Sequence, residues 1–398
     1  MSDDQSFSED ESFSESGRLL ESRDEAGTAP DDRRYRPDVE GMRALAIILV
    51  VLFHYGVPWL TGGFIGVDVF FVISGFVITG LLLRERQATG TNSLIRFYAR
   101  RCRRILPAAT LVIIATVFVT YFLIGIGPGR VAASDGRWAA VFLANVHTSP
   151  LSSLGNFWSL AVEEQFYLVF PLLFLFANRS TGRIPPRMRT AVVLGTVIIA
   201  SYWLSIVQTS SNEGWAYVSP FTCAWELALG SLIALETPML RRVNVRFGAA
   251  LTWAGLTVIL YSAVAFTSLR NFPGSEVALP VVGAAAIIAG GATAPRFGVE
   301  ALLGIAPFQW IGKRSYSLYL WHWPVLIVAA MYLGGFHGRW IVRPVLVLGV
   351  VALSMGTYRI VENPIRHSRL TSKQSVLLGG ALVATTVIVL SLLLALNR

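Results

Sequence analysis

Charged residues are scarce in this chain of 398 residues, and lysine is the scarcer of the two long bases. Asp, Glu, Lys and Arg together make up 14% of the chain, hydrophobic residues make up 54%, and the mean hydropathy is +0.58. Only Lys313 and Lys373 are lysine among the 33 Lys and Arg residues. Since a soluble domain carries about a quarter charged residues, the composition excludes a soluble enzyme and a disordered chain. It predicts an all-α, polytopic membrane helix bundle.

Other absences narrow the chemistry. The two cysteines, Cys102 and Cys223, are too few for a disulfide framework and lack a metal-ligand spacing, so we expect no metal site. The sequence has no G-x-S-x-G nucleophile elbow and no P-loop. It also has no nucleic-acid-binding motif, and its basic segments adjoin apolar runs. We therefore expect membrane lipids, and no nucleic acid, among its partners.

The first 34 residues differ from the rest in charge. They hold eleven acids and four arginines, which leaves 29 bases and 13 acids for residues 35–398. The segment has almost no aliphatic run with which to offset the entropy lost on ordering. It also lacks the basic region followed by an apolar region that marks a signal peptide. We predict that 1–34 is a disordered acidic cytoplasmic tail; regulation through phosphorylation of its serines is the alternative to a simply solvated tail.

Eleven apolar stretches are long enough for membrane helices, which need about 20 residues each. The predicted spans are 42–58, 64–83, 105–126, 158–177, 190–207, 217–236, 247–266, 276–294, 314–333, 340–361 and 375–396. One further apolar patch, at 138–146, is too short to cross.

Basic residues determine the predicted topology. If the patch at 138–146 does not cross, the loops on one side of the membrane hold 20 bases and those on the other side hold four. The positive-inside rule places the first set in the cytoplasm. If the patch crossed, the bias would largely cancel, so we predict a re-entrant or interfacial segment there. The protein then lies in the cell membrane with a cytoplasmic N-terminus and an extracytoplasmic C-terminus.

Arg43 and His54 lie on one face of the first predicted span. Eleven residues correspond to about 20° beyond three helical turns and to about 16.5 Å along the axis. The face carries a cation at its cytoplasmic end and an imidazole near its outer end, which suits a long ligand with an anionic head. An imidazole can take a proton from a hydroxyl near neutral pH. The alternative is a snorkelling arginine and a histidine that only packs between helices.

Arginines crowd the segment RFYARRCRRILP, which follows the second predicted span. The cluster includes Arg100, Arg101, Arg103 and Arg104. Guanidinium groups match the geometry of phosphates, so the cluster predicts a site for a phosphorylated cofactor. The alternative is that these arginines only set the topology and contact anionic lipid headgroups.

Polar residues within the predicted spans are costly and usually serve a function. Ser159, Glu163 and Tyr167 are spaced i, i+4, i+8 and form a stripe on one helix face. A carboxylate such as Glu163 can orient a histidine, or it can pair with an arginine from another span. The candidates for substrate contact or structural support are Asp68, Ser159, Tyr167, Tyr319 and His322.

Five segments between residues 35 and 366 form an ordered set of motifs. They are YRPDVEGMRALAIILVVLFHYGVPWLTGGFIGVDVFFVISGFVITGLLL, FYARRCRRILP, FWSLAVEEQFYLVFP, SYSLYLWHWP and RIVENPIR. Together they resemble the acyltransferase-3 family of integral membrane O-acyltransferases. The resemblance implies a ten-helix acyltransferase domain at 35–366, with a linker and an eleventh transmembrane helix at 367–398. It also implies transfer of an acyl group, often acetyl, from cytoplasmic acyl-CoA to a hydroxyl of an extracytoplasmic glycan or glycolipid.

The resemblance also implies roles for individual residues. The family pattern R-x10-H falls on Arg43 and His54, and R-x-x-R falls on either Arg100–Arg103 or Arg101–Arg104. The acidic position of the WSL-x-x-E segment falls on Glu163. His54 would then be the general base or carry the acyl group, and Glu163 would orient or charge-balance it. Arg43 would belong to the catalytic set with them, and the arginines of the R-x-x-R segment would hold the CoA phosphates.

Two features leave alternatives to this interpretation. Some long family members carry an extracytoplasmic SGNH-type hydrolase-like domain after an extra helix; here Arg398 follows the predicted helix Val376–Leu396 almost directly. Either that domain is lacking or the chain is a truncated form, and a separate extracytoplasmic domain or protein is a candidate partner.

The alternative functions are O-acylation of a small secondary metabolite and proton-coupled transport. A second copy of R-x10-H, which a transporter built from repeats would favour, is absent from the sequence.

Overall fold

The computed structural model describes residues 35–147, 152–179, 184–267, 272–336 and 341–396. Every regular element within these ranges is a helix. The helices belong to one compact unit, Pro37–Arg398. The predicted disordered tail at 1–34 lies outside the described residues. The all-α membrane bundle predicted from the composition is confirmed.

The first part of the bundle contains nine of the described helices. Helices α1 to α3 are Pro37–His54, Gly66–Thr89 and Leu94–Leu123, with a 3-10 turn at Gly63–Ile65 before α2. Helices α4 to α6 are Ile126–Ala140, Ala144–His147 and Phe157–Arg179. Helices α7 to α9 are Pro186–Ser211, Glu213–Val218 and Pro220–Leu240.

The second part contains the remaining seven described helices. Helices α10 to α12 are Val245–Ala265, Ala278–Gly291 and Glu300–Leu303, and α13 and α14 are Ala306–Leu333 and Val342–Thr357. A π-helical turn, Tyr358–Glu362, leads into α15, Asn363–Arg366, and α16 is Ser372–Leu396.

Local sequence sets several helix boundaries. Ser93 accepts a hydrogen bond from the Arg96 amide at the start of α3, and Asn244 accepts one from the Arg246 amide at the start of α10. These short polar side chains satisfy amides that have no partner within the helix. Gly90 ends α2 in the left-handed region with a φ of 71°, which glycine adopts without a steric penalty.

Nine helical segments in the described ranges are long and apolar enough to cross a membrane, and they correspond to nine of the eleven predicted spans. The other two predicted spans are also helical but are shorter or more polar. Helix α1 has 18 residues and carries Asp38, Glu40 and Arg43 in its first two turns. Helix α11 has 14 residues, or about 21 Å of rise, against a hydrocarbon core of about 30 Å. The chain is therefore a multi-pass membrane protein.

The apolar patch at 138–146 does not form a continuous helix. Helix α4 ends at Ala140, Phe142 takes a positive φ of 57°, and only the four-residue α5 follows. Gln165 of α6 holds this break, because its amide donates to the Phe142 carbonyl at 2.8 Å and to Asn145 Oδ1 at 2.9 Å. A segment this short and interrupted is compatible with the prediction that the patch does not cross the membrane.

Helices α2 and α9 touch backbone to backbone. A Cβ atom added at Gly75 would lie 1.8 Å from the Leu227 carbonyl oxygen, and one added at Gly230 would lie 1.9 Å from the Val72 carbonyl oxygen. Ser231 Oγ also donates to the Gly75 carbonyl at 3.2 Å. Small residues allow such close approach between membrane helices, where van der Waals packing supplies much of the association.

The last helix, α16, packs against α3 and α4. The Arg103 guanidinium of α3 donates to the Leu370 carbonyl at 2.9 Å and to Ser375 Oγ at 2.6 Å. A Cβ atom at Gly379 would lie 2.8 Å from Cys102 Sγ. The helix that sequence motifs place after the ten-helix domain is thus tied to the arginine-bearing helix by specific contacts.

The close contact between α2 and α9 predicts a loss of stability when a methyl group is added. Gly75→Ala should lower the thermal unfolding midpoint in detergent micelles, because overpacking typically costs about 1–3 kcal/mol. Gly195→Ala is the matched control, since a Cβ at Gly195 of α7 meets nothing within 4 Å. Equal midpoints for the two variants would contradict the tight packing.

Candidate active site

A cleft opens between helices α1, α2, α3, α6 and α13. It holds about 780 Å³ of empty space up to its open mouth. Apolar side chains form much of its wall, among them Phe70 and Leu160. Three arginines line it together with six further polar residues: Ser74, Ser159, Glu163, Tyr167, Ser315 and Tyr319. A mostly apolar cleft with a few convergent polar groups is the usual form of a ligand site.

The three arginines of the cleft come from two helices. Arg101 and Arg104 are one turn apart on α3 and share a face, and Arg43 projects from α1. Arg43 donates to Ser315 Oγ of α13 at 2.9 Å and lies 3.6 Å from Glu40. Within the described part of the chain, Arg104 makes no hydrogen bond and no ion pair within 4 Å. This leaves its guanidinium able to bind an anion in the cleft.

The other two arginines of the predicted cluster face away from the cleft. Arg100 forms an ion pair with Glu85 at 2.8 Å, and Arg103 binds the segment that leads into α16, as described above. The four arginines predicted as one cofactor-binding cluster thus lie on two faces of α3, because a helix turns 100° per residue. Of the two possible registers of R-x-x-R, only Arg101–Arg104 lines the cleft.

Glu163, Glu164 and Tyr167 of α6 surround the Arg101 guanidinium. Glu164 makes a direct ion pair with Arg101, Glu163 Oε1 lies 3.9 Å away, and the Tyr167 ring centroid lies 3.9 Å from the Arg101 Cζ atom. Glu163 Oε1 also accepts hydrogen bonds from Ser74 Oγ at 2.7 Å and from Tyr167 OH at 2.5 Å. The predicted stripe is thus present on α6. Its carboxylate, Glu163, lies near one arginine and accepts hydrogen bonds from two hydroxyl groups.

His54 is the last residue of α1, and its ring faces α13. The ring centroid lies 4.8 Å from that of Trp323 and 5.4 Å from that of His322. His322 is fully buried, and its Nδ1 is 2.6 Å from the Tyr319 carbonyl. Two histidines that are far apart in the sequence therefore form a pair inside the bundle.

Tyr319 connects the cleft with the two histidines. Its side chain lines the cleft, and its ring centroid lies 5.1 Å from that of His322. Its hydroxyl contacts Ser159 Oγ at 2.5 Å and donates to the Asn156 carbonyl at 3.0 Å. The histidines themselves are not part of the cleft wall, so the cleft extends from the arginines as far as Tyr319, with the imidazoles next to it.

Asp68 lies away from the arginines. It is 5% exposed, and it lies near the carboxyl group of Glu226, which is 0% exposed. The prediction that Asp68 supports the structure is consistent with this buried position between α2 and α9.

Sequence reasoning missed Ser315 and Glu362. The π-helical turn at Tyr358–Glu362 directs Glu362 inward, where it accepts a hydrogen bond from Ser317 Oγ at 2.5 Å. The positive charges of Arg104, Arg366 and Arg43 act on its carboxyl group. The signal for Glu362 was its position as an acid inside an apolar span, whereas the role of Ser315 depends on the approach of α1 to α13 and leaves no sequence signal.

The ion pair between Arg101 and Glu164 gives a test of this arrangement. Both side chains are only 12% and 13% exposed, and removal of one partner from a buried pair costs about 3–5 kcal/mol. Glu164→Gln should therefore lower the thermal unfolding midpoint measurably. The control is Glu236→Gln, because the Arg187–Glu236 side chains are 44% and 29% exposed and such pairs contribute about 0–1 kcal/mol. An equal effect of both variants would show that the buried pair is not a major stabilising contact.

Comparisons with known proteins agree with the sequence motifs. The chain is 30% identical over 357 residues to the peptidoglycan O-acetyltransferase OatA of Listeria monocytogenes, which covers 84% of this chain and 56% of that protein. It is 32% identical over 358 residues to the putative peptidoglycan O-acetyltransferase YrhL of Bacillus subtilis (84% and 55%), and 30% identical over 354 residues to the O-acetyltransferase OatA of Staphylococcus aureus (84% and 57%).

The chain thus spans little more than half the length of these relatives. No solved structure matches it. The acyltransferase-3 family model, which describes an acyltransferase domain, matches residues 36–359. Because this match covers most of the chain and includes all the helices around the cleft, the protein belongs to the acyltransferase-3 family.

Proposed function

We propose that the protein is a membrane O-acyltransferase that moves an acetyl group from cytoplasmic acyl-CoA to a hydroxyl group of an extracytoplasmic glycan or glycolipid. The observation that supports this most directly is a cleft with guanidinium groups at one end and a pair of imidazoles beside the other. The first group suits a phosphorylated carrier, and the second suits proton transfer at a hydroxyl.

The donor occupies the arginine end in this proposal. Arg43, Arg101 and Arg104 converge on the cleft, and guanidinium groups form charge-assisted hydrogen bonds with phosphate oxygens. Arg101 is already neutralised by Glu164, so Arg104 supplies the larger share of attraction to an anion. The apolar wall beyond the arginines accommodates the less polar arm that carries the thioester.

His54 works at the reacting atoms in this proposal. As a general base it takes the proton of the acceptor hydroxyl, the oxygen bonds to the acyl carbon, and the carbon–sulfur bond breaks. In the alternative route His54 itself carries the acyl group before transfer. Both routes need the ring to face the interior of the bundle, and its contacts with Trp323 and His322 fulfil this condition.

The acceptor is proposed from the relatives. Three of them are named as O-acetyltransferases, and two of those names specify peptidoglycan. A glycan acceptor is therefore favoured over a small secondary metabolite. Proton-coupled transport is less favoured, because the buried arginine of the cleft is bound by carboxylates in a fixed arrangement rather than repeated in a second helix set.

The proposed direction of transfer follows from the distribution of bases. The loops predicted to be cytoplasmic hold 20 bases, including the arginine segment that begins α3. The donor then enters from the cytoplasm at the arginine end, and the histidines lie nearer the outer face, since α1 begins inside. The N-terminus is cytoplasmic and the C-terminus extracytoplasmic in this arrangement.

Arg104 gives a specific test of the donor site. Arg104→Gln should weaken the affinity for CoA about tenfold or more, because a hydrogen bond to a charged group contributes about 1.5–3 kcal/mol. The measurement is CoA titration calorimetry on the protein in lipid nanodiscs. Arg100→Gln is the control, since Arg100 pairs with Glu85 outside the cleft. Equal CoA affinity of the two variants would show that the cleft arginines do not hold the donor.

His54 gives a test of the chemistry. His54→Ala should bind CoA as the unchanged protein does, yet lose at least about 100-fold in transfer rate, the range expected for a general base. Transfer is measured as release of the CoA thiol from acetyl-CoA by membranes supplied with soluble peptidoglycan strands. His367→Ala is the control, because His367 is exposed and lies between α15 and α16. Undiminished transfer by His54→Ala would rule out the catalytic role.

A further inference from the structure

The pair formed by His54 and His322 is enclosed by aromatic rings. The two imidazole centroids are 5.4 Å apart, with an angle of 38° between the ring planes. Trp323 lies against His54 at 4.8 Å, and Tyr319 lies against His322 at 5.1 Å. A proton held by either ring is therefore poorly solvated by water and depends on acceptors supplied by the protein.

The hydrogen bond of His322 determines which of its ring nitrogens is free. Nδ1 lies 2.6 Å from the Tyr319 carbonyl, and a carbonyl can only accept. Nδ1 therefore carries the proton, and Nε2 of the neutral ring offers a lone pair. This Nε2 atom is buried and has no hydrogen-bond partner in the described part of the chain. Most buried polar atoms in folded proteins have a hydrogen-bond partner, so this nitrogen is able to accept a further hydrogen bond.

Among the described residues, no hydrogen bond or ion pair joins a carboxylate to either histidine. Tyr55, the residue after α1, donates its hydroxyl to the His322 carbonyl at 3.1 Å, and Trp323 Nε1 donates to the Ser152 carbonyl at 2.7 Å. The cleft carboxylate, Glu163, is held by Ser74, Tyr167 and Arg101. An imidazolium formed at His54 carries two N–H groups, one directed to the reaction and one that needs an acceptor. The Val50 carbonyl, one turn earlier on α1, lies near the His54 ring and is one acceptor. The unpartnered Nε2 of His322 is an acceptor on the facing helix.

We infer that His322 is the positioning partner of His54: its Nε2 accepts the second ring N–H of His54 while His54 holds the proton of the acceptor hydroxyl. The inference rests on the proposed function. The O–H bond of the acceptor breaks, its electron pair forms the bond to the acyl carbon, and the carbon–sulfur bond breaks. The leaving thiolate then takes the proton from His54. His322 stays neutral throughout and has the place that a carboxylate has in hydrolase triads.

The distance between the rings suits this contact. Two imidazoles joined by an N–H···N hydrogen bond have centroids roughly 5 Å apart, which is one hydrogen-bond length of about 2.9 Å plus two ring radii. The observed 5.4 Å requires rotation of the rings rather than movement of the helices. Rotation about the Cβ–Cγ bond of histidine has a broad energy profile, so this alignment is accessible.

Two substitutions at His322 separate the proposed role from a packing role. The amide nitrogen of His322→Asn can occupy the Nδ1 position and donate to the Tyr319 carbonyl, but this variant has no atom at the Nε2 position. The amide of His322→Gln reaches the Nε2 position and offers an acceptor there. We expect His322→Asn to lower kcat for acetyl-CoA-dependent transfer about 100-fold or more, with the KM for acetyl-CoA within about twofold. His322→Gln should lie between His322→Asn and the unchanged protein.

The reverse order of the two variants, with Asn active and Gln inactive, would overturn the inference, because it would assign importance to the Nδ1 contact alone. His367→Asn is the matched control, since His367 makes the same kind of contact, from Nδ1 to the Asn363 carbonyl at 2.9 Å, at an exposed position. Its rate should equal that of the unchanged protein. Transfer by the unchanged protein that does not exceed that of His54→Ala would refute the proposed function itself. Normal transfer with an undiminished His322→Asn would refute only the role of His322.

A measurement on the unchanged chain covers the case in which neither variant folds. Nitrogen-15 NMR of the histidine-labelled full chain in nanodiscs should show His322 as the Nδ1–H tautomer with an unprotonated Nε2, and the chain has only five histidines to assign. A His322 ring protonated at Nε2 would overturn the inference, because that nitrogen could then accept nothing from His54.

Discussion

The ion pair between Arg101 of α3 and Glu164 of α6 is the contact on which the cleft depends. A guanidinium among membrane helices is expensive to bury, and the cost falls when a carboxylate and further hydrogen-bonding groups surround it. Glu164 and the Tyr167 ring cover one side of the Arg101 guanidinium, and the negative charge of Glu163 lies close to it. The pair therefore fixes the position of α6 relative to α3 and, through the Ser74 contact of Glu163, relative to α2.

The arginines of α3 differ in their contacts and therefore in their roles. Helix geometry directs Arg101 and Arg104 toward the cleft, while Arg100 and Arg103 point to Glu85 and to the segment before α16. Arg101 is bound by acids, whereas Arg104 is not. Arg101 thus holds the helices together, whereas in the proposed function Arg104 keeps its charge for a ligand.

The two ends of the cleft differ in polarity. The arginine end is rich in charges and hydroxyls, whereas the histidines lie among Trp323, Phe53 and Tyr319. Charges interact strongly where water is excluded, so a proton at His54 is controlled by the few polar atoms nearby. Tyr319 joins the two ends through contacts with Ser159, Asn156 and His322. In the proposed function, carrier binding and proton transfer therefore take place in separate parts of the site.

The sequence by itself determined the class of the protein, the positions of its long apolar helices and the family to which it belongs. These follow from the length and apolarity of segments and from local motifs, which are properties of neighbouring residues. It also identified Arg43, His54 and Glu163 as candidates, because charged residues in apolar spans stand out. Only the tertiary structure decided which arginines line the cleft, that Glu163 contacts Arg101 instead of a histidine, and that His54 lies beside His322. Those outcomes depend on how each helix is rotated about its axis and which helix it packs against, and a pattern read along one chain does not specify contacts between residues nearly 270 positions apart.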